Sequence, residues 1–292
     1  MRFSRIVVVD WSANATPKRG ADSIWVGLWT VDSGSAEPVN LPTRHAAVEF
    51  LGAVCAAPGR TLVGFDFPLG HPTGFAAAAG FTGTPWRATW DHLTGHLHDH
   101  PNNRNDRWDV AAELNRRMGI QWFWGVPKQR ASEWLHATKA TLEGPAAVRP
   151  AEFRSAEARL RQQGLRPFSP RQLLGAGSVG SQALTGIPAA DRLRRSPALA
   201  HRARVLPFET GLIEQPAADV DDAIVFAEVW PSAIDFDHVD HPVKDARQVT
   251  ALAAHLGALD ADGSLPGMFA PAVALAHRSE VEDEEGWVLG VT

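Results

Sequence analysis

Residues 5–14 read RIVVVDWSAN, and this stretch decides which fold to expect. Ile6–Val9 is an unbroken apolar, β-branched run, the mark of a strand buried on both faces. Asp10 closes it, and Trp11 and Ser12 follow. The same figure returns twice. Thr61–Phe67 (TLVGFDF) carries Asp66 near its end and is stopped by Pro68, Gly70 and Pro72. Asp222–Trp230 (DAIVFAEVW) carries Glu228 and is closed by Pro231. An unpaired carboxylate costs several kcal/mol to bury. An acid at a strand's carboxyl end is therefore expected to face a crevice, where open α/β sheets place their sites.

Outward from these strands, Ser23–Val31 alternates as an antiparallel partner does, Val39–Leu41 reads as a short third strand, and Ala203–Phe208 as a further short one. Thr43–Ala57 has helical apolar spacing with Thr43 as N-cap. Val243–Leu259 is a second clear helix, with Asp245 in its first turn, and Ala270–His277 a shorter one. Residues 71–200 carry no strong strand signal. Asp109–Met118, Glu152–Gly164 and Ser169–Leu174 read as helices there, between breakers at Pro101, Pro127, Pro145, Pro150, Pro167, Pro170, Pro188 and Pro197. The expected organisation is an α/β core formed by residues 1–70 plus 201–292, interrupted by a mainly helical insertion at 71–200.

Composition excludes several classes. The 292 residues are 45% hydrophobic and 21% charged, an ordinary globular balance rather than a disordered one. The lone Cys55 forbids an intramolecular disulfide and Cys-based zinc motifs, and its place on the apolar face of the first helix makes it inert core. No apolar stretch approaches the roughly 20 residues of a membrane span, and the N-terminal apolar run is too short for a signal peptide. A soluble cytoplasmic protein with no membrane partner is expected. Residues 101–210 hold 18 Lys and Arg against 9 Asp and Glu, while the rest hold 10 against 24. Such a basic middle offers a nucleic-acid-binding segment, or simply an Arg-rich solvated face. Tight duplex binding by the whole acidic chain is not expected.

Asp10, Asp66 and Glu228 at three strand ends, joined by Asp245 from the last helix, form a carboxylate set with no obvious matching cation. Hard oxygen donors of this kind suit magnesium or manganese, and such ions stabilise the attacking and leaving oxygens of a phosphodiester. Each acid taken singly reads equally as a cap, turn or salt-bridge residue. The stretches VVVDWSAN (7–14), VGFDFPLG (63–70), FWGVPK (123–128), LLGAGSVGSQALTGIP (173–188), FAEVWPS (226–232) and VKDARQV (243–249) add a family likeness. On them the chain resembles a bacterial domain-of-unknown-function family whose members are predicted to be ribonuclease H-like, Holliday-junction-resolvase-like nucleases. That resemblance implies a ribonuclease H-like mixed five-stranded sheet with flanking helices. It also implies a metal-dependent acidic site at Asp10 and Asp66, completed by Glu228 and Asp245, with Glu284 or Glu285 of the tail as a substitute fourth ligand. The implied function is metal-dependent phosphodiester hydrolysis on nucleic acid. Two alternatives stand beside it: an ATP- and magnesium-dependent phosphotransferase of the same fold superfamily, and a non-catalytic binding protein on this scaffold.

Further motifs supply candidates for substrate contact. Gly175–Gly180 satisfies G-x-G-x-x-G, but it lacks the preceding strand and the acid about 20 residues on that a dinucleotide site needs. It reads as a glycine-rich turn, either closely packed or meeting a phosphate through Gly175 and Gly177 beside Lys128, Arg130 and Arg171. Among His96, His98 and His100, His96 and His100 stand at i, i+4 as a helical zinc pair could, but no Glu lies between them to act as a base and a polar loop is the simpler reading. Asn102–Asp106 with Arg107 and Trp108 is a dense polar loop, suited to phosphates or to solvated turns. Of the 11 Trp, Trp122 and Trp124 are expected to pack rather than to stack on bases.

Overall fold

The computed structural model describes residues 2–139, 151–175, 177–272 and 274–292. Pro145 and Pro150, Ala176 of the glycine-rich run and Val273 of the last expected helix lie outside the described residues. Strand β1 (Arg5–Asp10) sends Val7 and Val9 to one face of the sheet and Ile6 and Val8 to the other, and all four are fully buried. Antiparallel β2 (Ile24–Thr30) and β3 (Ala36–Leu41) extend the sheet on one side of β1. On the other side lie parallel β4 (Thr61–Phe65), which follows helix α1 (Arg44–Ala56), and late in the chain β5 (Ala203–Val205) and β6 (Ile224–Glu228). The result is a mixed sheet of six strands in the order β3-β2-β1-β4-β6-β5, where five were expected. The sixth is the three-residue β5, which falls within the expected Ala203–Phe208 strand and pairs parallel to the outer edge of β6.

Residues 71–200 contribute helices and no strand of this sheet among the described residues: α2 (Phe75–Ala78), α3 (Pro85–His96), α4 (Arg107–Met118), α5 (Ser155–Gln162) and α6 (Gly180–Arg195). Helices α3, α4 and α6 join α1 in a single apolar cluster over the Val7, Val9, Val63, Phe65 and Phe226 face. Helix α7 (Lys244–Asp262) covers the opposite face, packing on Ile6, Val8, Leu62, Val225 and Ala227. Among the described residues no helix is long and apolar enough to cross a membrane.

Two expected elements differ. Ser169–Leu174 is not a helix, because its backbone is spent on Trp124: Trp124 N–H donates to Arg171 O at 3.2 Å and Leu173 N–H to Trp124 O at 2.8 Å. The helix comes later, as α6, despite Gly186 and Pro188 in its interior. An interior proline costs a helical hydrogen bond, and burial of nearly every residue from Gly180 to Leu193 offsets it. Of Ala270–His277, Ala274–His277 forms a 3-10 turn.

The seat of α7 depends on Gly27. A Cβ there would fall inside the Val249 carbonyl of α7, so only glycine lets the helix lie this close to β2. Gly27→Ala is expected to cost roughly 1–3 kcal/mol, the price of overpacking, with the unfolding midpoint in urea as the readout. An unchanged midpoint would mean that α7 is not pressed against the strand.

Candidate active site

Strand register brings the first two acids together. Val9 faces Phe65 across the parallel β1–β4 pair, so Asp10 and Asp66 emerge side by side at the carboxyl ends. Asp66 N–H donates to Val9 O at 3.1 Å, and Trp11 N–H donates to Asp66 Oδ1 at 2.8 Å. By strand alternation both carboxyls project to the face covered by α7. Asp245, in the first turn of α7, reaches the same place, and its Oδ2 accepts the Asp22 N–H at 2.8 Å. Asp22 sits at φ +53° in the turn before β2 and adds a fourth carboxylate nearby, itself paired with Lys18 at 3.3 Å. Among the described residues no Lys, Arg or His forms an ion pair with Asp10, Asp66 or Asp245.

The electrostatics follow from this crowding. The Asp10 and Asp66 carboxyls lie close enough to perturb one another. Burial, then the charges of Asp66, Asp245 and Asp22, push the Asp10 pKa well above the usual carboxylate range. Burial raises Asp66 to about 7, against the pull of the Trp11 N–H. Two adjoining carboxyls with no cation between them hold a proton more tightly than either would alone.

Glu228 does not join this cluster. It pairs in register with Phe65, one position earlier than Asp66, and so points to the opposite face of the sheet. There Arg154, fully buried, donates from Nη1 to Glu228 Oε2 at 2.7 Å and from Nη2 to Oε1 at 2.5 Å. Its Nε and Nη2 also hold Glu157. Burial alone would lower the Arg154 pKa, but Glu157 and Glu228 together outweigh it and raise it. Glu228 is raised by burial and pulled back by Arg154. Arg154 occupies both of its oxygens, so the expectation of Glu228 as a metal ligand is corrected to that of a structural ion-pair partner. Glu284 and Glu285 are likewise engaged elsewhere. Glu284 accepts the Gly74 and Ala76 N–H groups, each at 2.7 Å, and Glu285 accepts those of Thr73 and Ser155.

The crevice has two lobes that meet at Asp10 and Gln182. One, of about 360 Å³, includes Asp66, Glu228, Arg166, Phe168, Lys244 and Gln248 in its walls. The other, of about 300 Å³, includes Asn14, Asp22, Arg107, Ser178 and Asp245. Of the predicted glycines, Gly175 lines the second lobe and Gly177 the first, with φ of +122° and +74°. The loop is held by the packing of α6, whose Gln182 Nε2 donates to Trp11 O at 2.6 Å while the Trp11 indole donates to Thr185 Oγ1 at 3.2 Å. Arg171 does not reach the crevice. It is 2% exposed, donates to Trp122 O at 2.9 Å and stacks over the Trp122 ring, so its expected phosphate contact is corrected to a packing role. Lys128 and Arg130 lie on an exposed 3-10 turn outside both lobes. His96, His98 and His100 diverge onto His92 O, Asp106 and Arg104. Asn103 is buried and caps α1 by accepting the Arg44 N–H at 2.9 Å.

Among the described residues no three His, Cys, Asp or Glu side chains are placed so that together they could hold a metal ion. The donor chemistry nevertheless fits a hard divalent cation at Asp10 and Asp66, two adjoining carboxyls that lack any basic partner and have a third, Asp245, facing them. Sequence reasoning missed Arg154, Asp22 and Gln248, whereas Arg107 belongs to the polar loop already read as suited to phosphates. Only Arg154 left a trace, in Glu157 three residues on, which accepts the Arg154 N–H at 2.9 Å as in a capping box. Comparison of the chain with protein-family models, curated proteins and solved structures returns no match.

Proposed function

We propose that the protein is a metal-dependent phosphodiester hydrolase of ribonuclease H-like architecture, acting on nucleic acid through Asp10, Asp66 and Asp245. The observation that carries this reading is the cation-free carboxylate cluster at the carboxyl ends of two adjacent parallel strands, open to a two-lobed crevice. The strand order β3-β2-β1-β4-β6, antiparallel then parallel, is the order expected of a ribonuclease H-like sheet. Magnesium or manganese bound there would stabilise the charge on the attacking and leaving oxygens of a phosphodiester. Asp10 and Asp66 supply hard oxygens from rigid strand ends. Asp245 faces them from a helix whose first turn is pinned by the Asp22 N–H. Lys244 and Arg166, both exposed, offer cations to strand phosphates on the rim of the larger lobe.

The test is cleavage, with manganese, of a panel of end-labelled single-stranded, duplex and four-way-junction DNA and single-stranded RNA. Wild type is expected to cut at least one member and to stop when EDTA is added. Asp66→Asn from the same purification is expected to leave the panel intact, which removes contaminating nuclease as an explanation. Wild type that cuts nothing at millimolar manganese contradicts the reading.

A further inference from the structure

Arg107 opens α4, and its placement runs against ordinary helix electrostatics. A helix N-terminus carries partial positive charge and disfavours a cation, yet the first residue of α4 is an arginine only 8% exposed. Its Nε donates to Ser181 Oγ at 3.0 Å, and Ser181 lies in the first turn of α6. Two helix N-termini, each with first-turn N–H groups that lack intrahelical partners, thus meet at one buried guanidinium. The N-cap Asp106 does not neutralise this corner, because its carboxylate accepts from His98 N–H at 2.9 Å and from the His98 ring.

The remaining contacts of Arg107 are also neutral. Nη1 donates to Asn105 Oδ1 at 2.8 Å, and the guanidinium stacks 4.0 Å above the Trp108 ring. Among the described residues no carboxylate pairs with it. The nearest charges include two more arginines, Arg44 and Arg130, and Arg44 is already paired with Asp99. A buried guanidinium held by neutral acceptors is costly unless an anion completes it. This one lines the smaller lobe together with Asp10, Asp22 and Asp245. Ser178 and Gly175 border the same lobe.

We propose that Arg107, at the junction of the α4 and α6 N-termini, is a phosphate-binding residue: a subsite for a phosphate group of a nucleic-acid strand lying across Asp10. The strand as source rests on the function proposed above; the phosphate chemistry at Arg107 does not. A guanidinium fork matches two phosphate oxygens at once, and the helix ends add N–H donors of the same sign.

The test is run without metal, so that it is independent of cleavage. Asp10→Asn removes one opposing carboxylate and prevents turnover, and is compared with Asp10→Asn/Arg107→Gln in EDTA. The probes are a fluorescein-labelled single-stranded DNA 12-mer, followed by anisotropy, and inorganic pyrophosphate, followed by calorimetry. The second substitution is expected to weaken binding by at least roughly fivefold, in line with loss of a charge-assisted hydrogen bond. Parallel loss with both probes assigns the subsite to phosphate groups at large. Loss with a strand that alone binds assigns it to an internal phosphodiester. A smaller loss, or no binding of either probe to Asp10→Asn, overturns the proposal. Where the Gln variant does not fold, Arg107→Lys serves instead. It keeps the charge and loses the fork, and unchanged affinity in it overturns the proposal equally.

Discussion

In EDTA at pH 8, Asp10→Asn is expected to be more stable than wild type, with a higher urea midpoint, and the advantage shrinks toward pH 4. The sign follows from the direction of the shifts. Both carboxyls of the pair hold their protons more tightly folded than unfolded, Asp66 rising from 3.8 to about 7. Above the unfolded value the folded chain carries more protons than the unfolded one, so stability falls as pH rises through this window. Below pH 4 both states are protonated and the contribution is complete. Asparagine keeps a hydrogen-bonding group beside Asp66 and removes the charge that burial penalises. A bound cation removes the same penalty, so manganese is expected to stabilise wild type far more at pH 8 than at pH 5, and the variant little at either. A ligand at one hundred times its dissociation constant gives about 2.7 kcal/mol. Urea unfolding at the two pH values, with and without metal, reads all of this. An Asn variant that is less stable than wild type at pH 8 would falsify the claim that the pair is an uncompensated carboxylate site.

Arg154→Met is expected to destabilise the fold by about 3–5 kcal/mol, the cost of breaking a buried ion pair from one side. Arg154 joins the start of α5 to Glu228 on β6, and Nη1 also donates to Glu285 O at 2.9 Å. Removing it leaves Glu157 and Glu228, each no more than 6% exposed at the side chain, without a cation. The triple variant Arg154→Met/Glu157→Gln/Glu228→Gln is expected to recover much of the loss, since apolar and neutral replacements of a buried ion network are often tolerated. Chemical denaturation of both variants separates the two effects. Equal losses in the single and the triple variant would mean that side-chain packing, not charge pairing, is what Arg154 contributes.

The core strands were legible because their signal is local. IVVV before Asp10, TLVGF before Asp66 and AIVF before Glu228 are each buried on both faces, and sequence alone carries that fact. What those strand ends do was only partly legible. Spacing along a strand does not disclose register between strands, and the one-position offset of Glu228 relative to Asp66 sends it to the other face and to Arg154. Arg154 lies 74 positions from Glu228, and nothing nearby in sequence announces the pairing. Helix α6 was hidden by Gly180, Gly186 and Pro188, residues that disfavour helix intrinsically and are overridden here by burial. Arg171 and Arg107 look alike in sequence. Tertiary packing sets them apart, one stacked inside on Trp122 and one lining the crevice.

The most direct measurement is calorimetric titration of manganese into the metal-free protein at pH 8, on wild type and on Asp10→Asn. Binding to wild type with a micromolar dissociation constant, and its loss in the variant, is the predicted result. Wild type that takes up no manganese at millimolar concentration, or a variant that binds as wild type does, would contradict a cation site at the ends of β1 and β4.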